Sequence, residues 1–151
     1  MDSIQRCPEC GAAWMDGVTC HEHFYQMGYW EIENLALQVV HHLMVLAYHL
    51  QHPSLYSPYG LNSAKGLLVE FLERGATTEQ VRKRNRDVMD SGKRTFKIKG
   101  TPTSHGAYDH PVTWTMKAAD VTAGGVDAYC DSVRAWARSV LESLKASGNL
   151  S

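Results

Sequence analysis

The 151-residue sequence carries no surplus of either charge: fifteen Lys and Arg stand against sixteen Asp and Glu. A net charge of -1 excludes a protein held to nucleic acid by a strong overall field. A long apolar run is also missing. The longest apolar stretch, Leu35 to Leu50, is interrupted by His41, His42 and His49. It falls short of the roughly 18 uninterrupted residues that a membrane span needs. Residues 1–20 have neither the basic start nor the apolar core of a signal peptide. No membrane contact and a cytoplasmic address are the expectation. What is present suits a globular protein. Hydrophobic residues make up 44% and charged residues 21%, which excludes disorder of the whole chain. At this length roughly two thirds of the unfolded surface can be buried without disulfides. One domain is expected, with residues 1–24 as a metal knuckle and the start of a helix, and 25–151 as a helical bundle.

Thr19 followed by Glu22 forms a capping box and opens a first helix from Cys20 to about Gly28, with Phe24 and Met27 on one face. Asn34 can cap a second helix running to Gln51, before Pro53 stops it. Its apolar residues nearly encircle the axis, as in a central, buried helix. A third helix is expected from Asn62 to Arg74, with Gly75 as the left-handed residue after it. Thr77 and Gln80 open a fourth, polar helix to about Met89. Residues 95–99, TFKIK, suggest a short edge strand with nothing obvious to pair with. The stretch from Val112 to Val121 begins like a strand and ends like a helix. From Val126 to Lys145 the apolar residues keep to one face of a last helix. The expected fold is all-α, a bundle of about four to five helices with an N-terminal zinc knuckle.

Three of the four cysteines lie near the N-terminus. Cys7-Pro8-Glu9-Cys10-Gly11 has the spacing that sets two sulfurs on one ion, and the glycine permits the tight turn after the second. Cys20 follows nine residues later, and His23 completes a C-x2-C-x9-C-x2-H set. Four soft or borderline donors match the tetrahedral demand of Zn2+. A thioredoxin-like redox pair would need a preceding strand, which Met1 to Arg6 does not supply, and would leave Cys20 over. The fourth ligand has competitors. If the first two helices form an antiparallel hairpin turning near residue 31, Cys20 lies opposite residue 42, within reach of His41 or His42. Cys130 reads as a core residue on the last helix.

The remaining histidines raise a second possibility. His41, Val45, Tyr48 and His52 share one face of the second helix. A catalytic pocket would gather His41, Tyr48, Gln51, His52 and His110, with His49, His105 and Asp109 as further candidates for a second metal. Neither His-x-x-x-His nor His-Glu-x-x-His is present to anchor such a site. Buried imidazoles bonded to carbonyls or to Gln51 and Glu31 are the plainer alternative. Eight of the fifteen positive charges lie at Arg82, Lys83, Arg84, Arg86, Lys93, Arg94, Lys97 and Lys99. With Phe96 as the sole interleaved aromatic, this stretch makes a poor stacking platform for single strands and reads as a solvated face.

The chain resembles a family of bacterial proteins of unknown function. The residues that carry the resemblance are Cys7, Pro8, Cys10, Gly11, Cys20, Phe24, His41, Tyr48, Gln51, His52 and Pro53. Pro111-Val112-Thr113 and Trp136-Ala137 add to it, so it covers most of the chain. The family pattern has no histidine three residues after the third cysteine, which implies His41 rather than His23 as fourth ligand. Leu46 departs from the pattern, which often has Asp there. The resemblance implies a metal site and leaves the activity open. The resulting expectation is a structural Cys3His zinc module that binds a protein partner or a small molecule, neither nucleic acid nor membrane. A small metal-dependent enzyme, with its pocket around His41, Tyr48, Gln51, His52 and His110, is the rival.

Overall fold

The structure, a computed structural model, describes residues 5–83 and 99–150. Thr19 caps the first helix as its spacing predicts, its hydroxyl accepting from the Glu22 N–H at 3.3 Å. Helix α1 spans Cys20–Glu33 and does not stop near Gly28. A single glycine costs only about 1 kcal/mol in a helix interior. The turn beyond it places Glu31 inside and is held by that packing. Asn34 ends α1 and caps the next segment, its side chain accepting from the Ala36 N–H at 3.2 Å. That segment is not yet α-helix. Residues Leu35–Val40 form 3-10 turns, and α2 occupies only His41–Gln51. The expected helix of residues 34–51 is thus divided, and the turn of the hairpin lies well after residue 31.

The chain divides into two compact units, Met1–His52 with Tyr108–Ser151, and Pro53–Ala107. In the first, α2 packs chiefly on the long last helix and α1 on a short helix that precedes it. In the second, α3 spans Pro58–Glu73 and starts four residues earlier than expected. Ser57 accepts from the Gly60 N–H at 3.0 Å, and Pro58 takes the first helical position, where its missing N–H costs nothing. Leu61, Ala64 and Leu68 are the buried stripe of α3. Gly75 has the expected positive φ of 66°. Thr77 and Gln80 make the reciprocal capping bonds, and residues 78–83 are helical. The rest of the expected fourth helix, and 95–98 of the expected strand, lie outside the described residues. Lys99 makes an isolated bridge with Tyr56.

In the first unit, residues 112–117 are irregular, and α4 comes next at Ala118–Ala123. Its first turn is secured by the Lys117 N–H donating to Asp120 Oδ2 at 2.8 Å. The last helix, α5, spans Tyr129–Ala146. Val133, Trp136, Ala137, Val140, Leu141 and Leu144 make the single buried face that its spacing predicts. With Met27, Val40, Met44 and Leu50 they form the core. Cys130 is half-buried. The fold is an all-α bundle. Among the described residues β-pairing is limited to isolated bridges, and no helix is long and apolar enough to cross a membrane.

Candidate metal centre

The N-terminal arm is shaped by its own backbone. The Cys7 N–H donates to the Ala12 carbonyl at 2.9 Å, the Gly11 N–H to the Cys7 carbonyl at 3.0 Å, and Arg6 bridges Ala13. Gly11 has a φ of 77°, the left-handed value the turn requires. This knuckle aims both thiols the same way, and the Cys10 N–H points at Cys7 Sγ, 3.5 Å away. Cys20 joins them from the first turn of α1, its sulfur 3.4 Å from Cys10 Sγ and 3.4 Å from the indole nitrogen of Trp14.

The fourth member is His52, at the end of α2. One ligand atom from each of Cys7, Cys10, Cys20 and His52 lies within 4.8 Å of the others, and all four residues are buried. His52 Nδ1 donates to the Tyr48 carbonyl at 2.6 Å. That bond fixes the tautomer and leaves the Nε2 lone pair for a ligand, as an outer partner does for a metal-bound histidine. Nε2 itself is buried without a hydrogen-bond partner. An orphaned acceptor among three thiols is costly unless a cation completes it. The group can hold a metal ion. The ring is further fixed by Tyr48, tilted against it at 4.5 Å, and Tyr48 is stacked on Phe24 at 4.2 Å.

The thiols are electrostatically unequal. Their mutual contact drives Cys20 down, against the burial that pushes the other way, and His52 and Trp14 add to the lowering. The same contact and then burial drive Cys10 up. Burial works against a charged His52, but Cys20 and the Tyr48 carbonyl outweigh it and raise its pKa. Tyr48 is pushed up to about 12 by burial first and the neighbouring cysteines second.

The other expected ligands stand elsewhere. His41 is bonded through Nδ1 to Glu31 Oε1 at 2.6 Å, and His23 through Nδ1 to the Thr122 hydroxyl at 2.8 Å. The structure therefore brings His52 to the three cysteines in place of His41 or His23. The physical cause is the turn: the chain doubles back about Ala36, at the start of the 3-10 segment Leu35–Val40, so Cys20 is level with His52, whereas a turn near residue 31 would have set it opposite residue 42. The residues of the expected pocket have separate partners. Gln51 donates to the Met116 carbonyl at 2.7 Å, and His49 Nδ1 is bonded to the Val45 carbonyl at 2.8 Å. His110 is pinned through its backbone to Asn149. His105 Nδ1 lies 3.2 Å from the Gly106 carbonyl, and Asp109 is exposed. Of the basic stretch, Arg82, Lys83 and Lys99 are exposed, while Arg84, Arg86, Lys93, Arg94 and Lys97 lie outside the described residues.

Residues 5–145, which include the whole knuckle and all five numbered helices up to the last turn of α5, match the family described as Family of unknown function (DUF5946). The chain belongs to this family. Membership brings no activity with it, so the chemistry of the four side chains is the functional evidence. No curated protein and no solved structure matches the chain.

Proposed function

We propose that Cys7, Cys10, Cys20 and His52 hold one Zn2+, and that the ion fastens the N-terminal arm to the α1–α2 hairpin of a non-catalytic binding module. One observation carries this reading: four buried donors within 4.8 Å of one another, one of them an imidazole nitrogen with no other partner. Three thiolates and an imidazole are the donors that zinc prefers, and four protein ligands close its tetrahedron. A closed site leaves no position for water or substrate, which favours a structural ion over a catalytic one. The rival reading, a pocket around His41, Tyr48, Gln51, His52 and His110, loses support because the side chains of His41, Gln51 and His52 are each bonded to a different partner.

Elemental analysis of never-chelated protein tests the reading. One zinc per chain is expected, lost in Cys10→Ala and His52→Ala and kept in His41→Ala and His23→Ala. Protein that is metal-free with an ordered arm, or a His41→Ala variant that loses the ion, refutes it.

A further inference from the structure

Cys10 and Cys20 belong to different parts of the chain, yet their sulfurs are 3.4 Å apart. That lies within the separation of about 3–3.5 Å at which two held groups are placed to react. Both sulfurs are fixed. Cys10 is held by the backbone bonds of the knuckle, and Cys20 by the first turn of α1 and by the Trp14 indole N–H, which donates to its sulfur at 3.4 Å. Cys7 is turned differently: its sulfur accepts from the Cys10 N–H at 3.5 Å and stands within 4.8 Å of the other ligand atoms. The arm that carries Cys7 and Cys10 is thin. Pro8, Glu9, Gly11, Met15, Asp16 and Gly17 are exposed, so local opening of the arm admits a small oxidant and leaves the apolar core intact.

We infer that Cys10 and Cys20 are a redox-sensitive pair, which a hydroperoxide joins as a disulfide with release of the zinc. The inference rests on the zinc reading and gives that site its regulation. One thiolate attacks a peroxide oxygen; the O–O bond breaks, the sulfur becomes a sulfenic acid and hydroxide leaves. The other thiolate then attacks that sulfur, so that an S–S bond forms, the S–O bond breaks and a second hydroxide leaves. Two electrons pass from the sulfurs to the peroxide, and solvent protons convert both hydroxides to water. Of the four donors only Cys7 and His52 are left, too few for the tetrahedron that zinc requires. The two states differ in what holds the arm. Zinc ties it to α1 through Cys20 and to the end of α2 through His52. The disulfide keeps the first tie and drops the second, so oxidation frees the end of α2 while the arm stays on α1.

Treatment of the zinc-loaded full chain with stoichiometric hydrogen peroxide tests the inference, released metal being followed with a chelator too weak to strip the reduced protein. Free thiols fall from four to two per chain as one zinc is released, at one rate, and a dithiol reductant with added zinc reverses both. Cleavage after Glu9 and before Asp16 puts Cys7, Cys10 and Cys20 on three peptides, of which the linked pair carries Cys10 and Cys20. Amide exchange over residues 49–52 rises at least about tenfold on oxidation, whereas over residues 11–20 it stays below that of chelated, reduced protein. A disulfide that involves Cys7, zinc retained after the thiols are lost, or zinc released without a disulfide overturns the inference and leaves the metal reading standing. Protein isolated without zinc overturns both.

Discussion

His41 and Glu31 are paired across the hairpin of α1 and α2, Nδ1 to Oε1 at 2.6 Å, and the pair lies symmetrically about Ala36. So do Phe24 with Tyr48, stacked at 4.2 Å, and Cys20 with His52 in the metal group. Three contacts of different chemistry share one register. The buried carboxylate of Glu31 has a second partner, since the Tyr129 hydroxyl at the start of α5 donates to Oε2. One anion therefore joins three helices.

That junction should be costly to open. Tyr129→Phe leaves a buried carboxylate with one hydrogen bond fewer, a loss of about 2 kcal/mol expected in urea unfolding. In a Glu31→Gln background the same substitution should cost clearly less, because the two residues act as one unit. Equal costs in both backgrounds would show that the hydroxyl does not act through the carboxylate.

Removal of the metal should release the arm first. Residues 5–19 pack through the knuckle and the sulfurs far more than through apolar side chains. Trypsin cleavage after the exposed Arg6 should quicken at least about tenfold on adding a chelator, as expected for local opening. The helical signal of α2 and α5, which rests on the apolar core, should change little. A cleavage rate indifferent to chelation would detach the arm from the ion.

The parts of the fold legible in the sequence are those that local signals measure. Capping residues reported helix starts, so Thr19, Asn34 and the Thr77–Gln80 box are where spacing set them. Periodicity reported the buried face of α5. The three cysteines were legible because their ligand spacing is local. His52 was legible only as a residue of interest, since its place beside Cys20 depends on where the hairpin turns. Periodicity cannot distinguish 3-10 turns from the start of an α-helix in a short segment that is apolar but for one residue, as 35–40 is with Gln38. A hairpin assumed to turn near residue 31 sets His41 or His42, and not His52, within reach of Cys20.

The histidines give a pH test. Burial lowers the pKa of His42, with His41 and Arg134 adding to it, and burial also lowers that of His49, against the raising effect of the Val45 carbonyl. A base lowered in the folded state is protonated first in the unfolded chain, so the unfolded state binds more protons as pH falls. Both residues should leave stability unchanged well above the usual 6.5 and reduce it progressively below that value. Titration by NMR should place both below the ordinary histidine range. His49→Gln should flatten the loss of stability between pH of about 6.5 and about 5. A steeper loss in that variant would reverse the sign.

In the Pro53–Ala107 unit the glycines divide by surroundings. A Cβ on Gly100 would stand 2.4 Å from the Ser54 carbonyl oxygen and 2.6 Å from that of Tyr56, whereas one on Gly66 meets nothing. Gly100→Ala should therefore cost more than about 2 kcal/mol, as backbone must move, with hydrogen exchange rising around residues 53–57. Gly66→Ala, on the exposed side of α3, should stabilise by about 0.5–1 kcal/mol. Thermal melts of the two variants should shift in opposite directions.

The four donors come from two stretches of chain separated by nearly all of α1, the 3-10 turns and all of α2. During synthesis the three sulfurs emerge early and can at best hold a cation loosely. The imidazole arrives only after the polypeptide has doubled back at Ala36, and a slip by a single residue would carry it away. If the group holds its ion as proposed, capture of the metal proofreads the bend: a loaded molecule has already folded its hairpin in the right alignment.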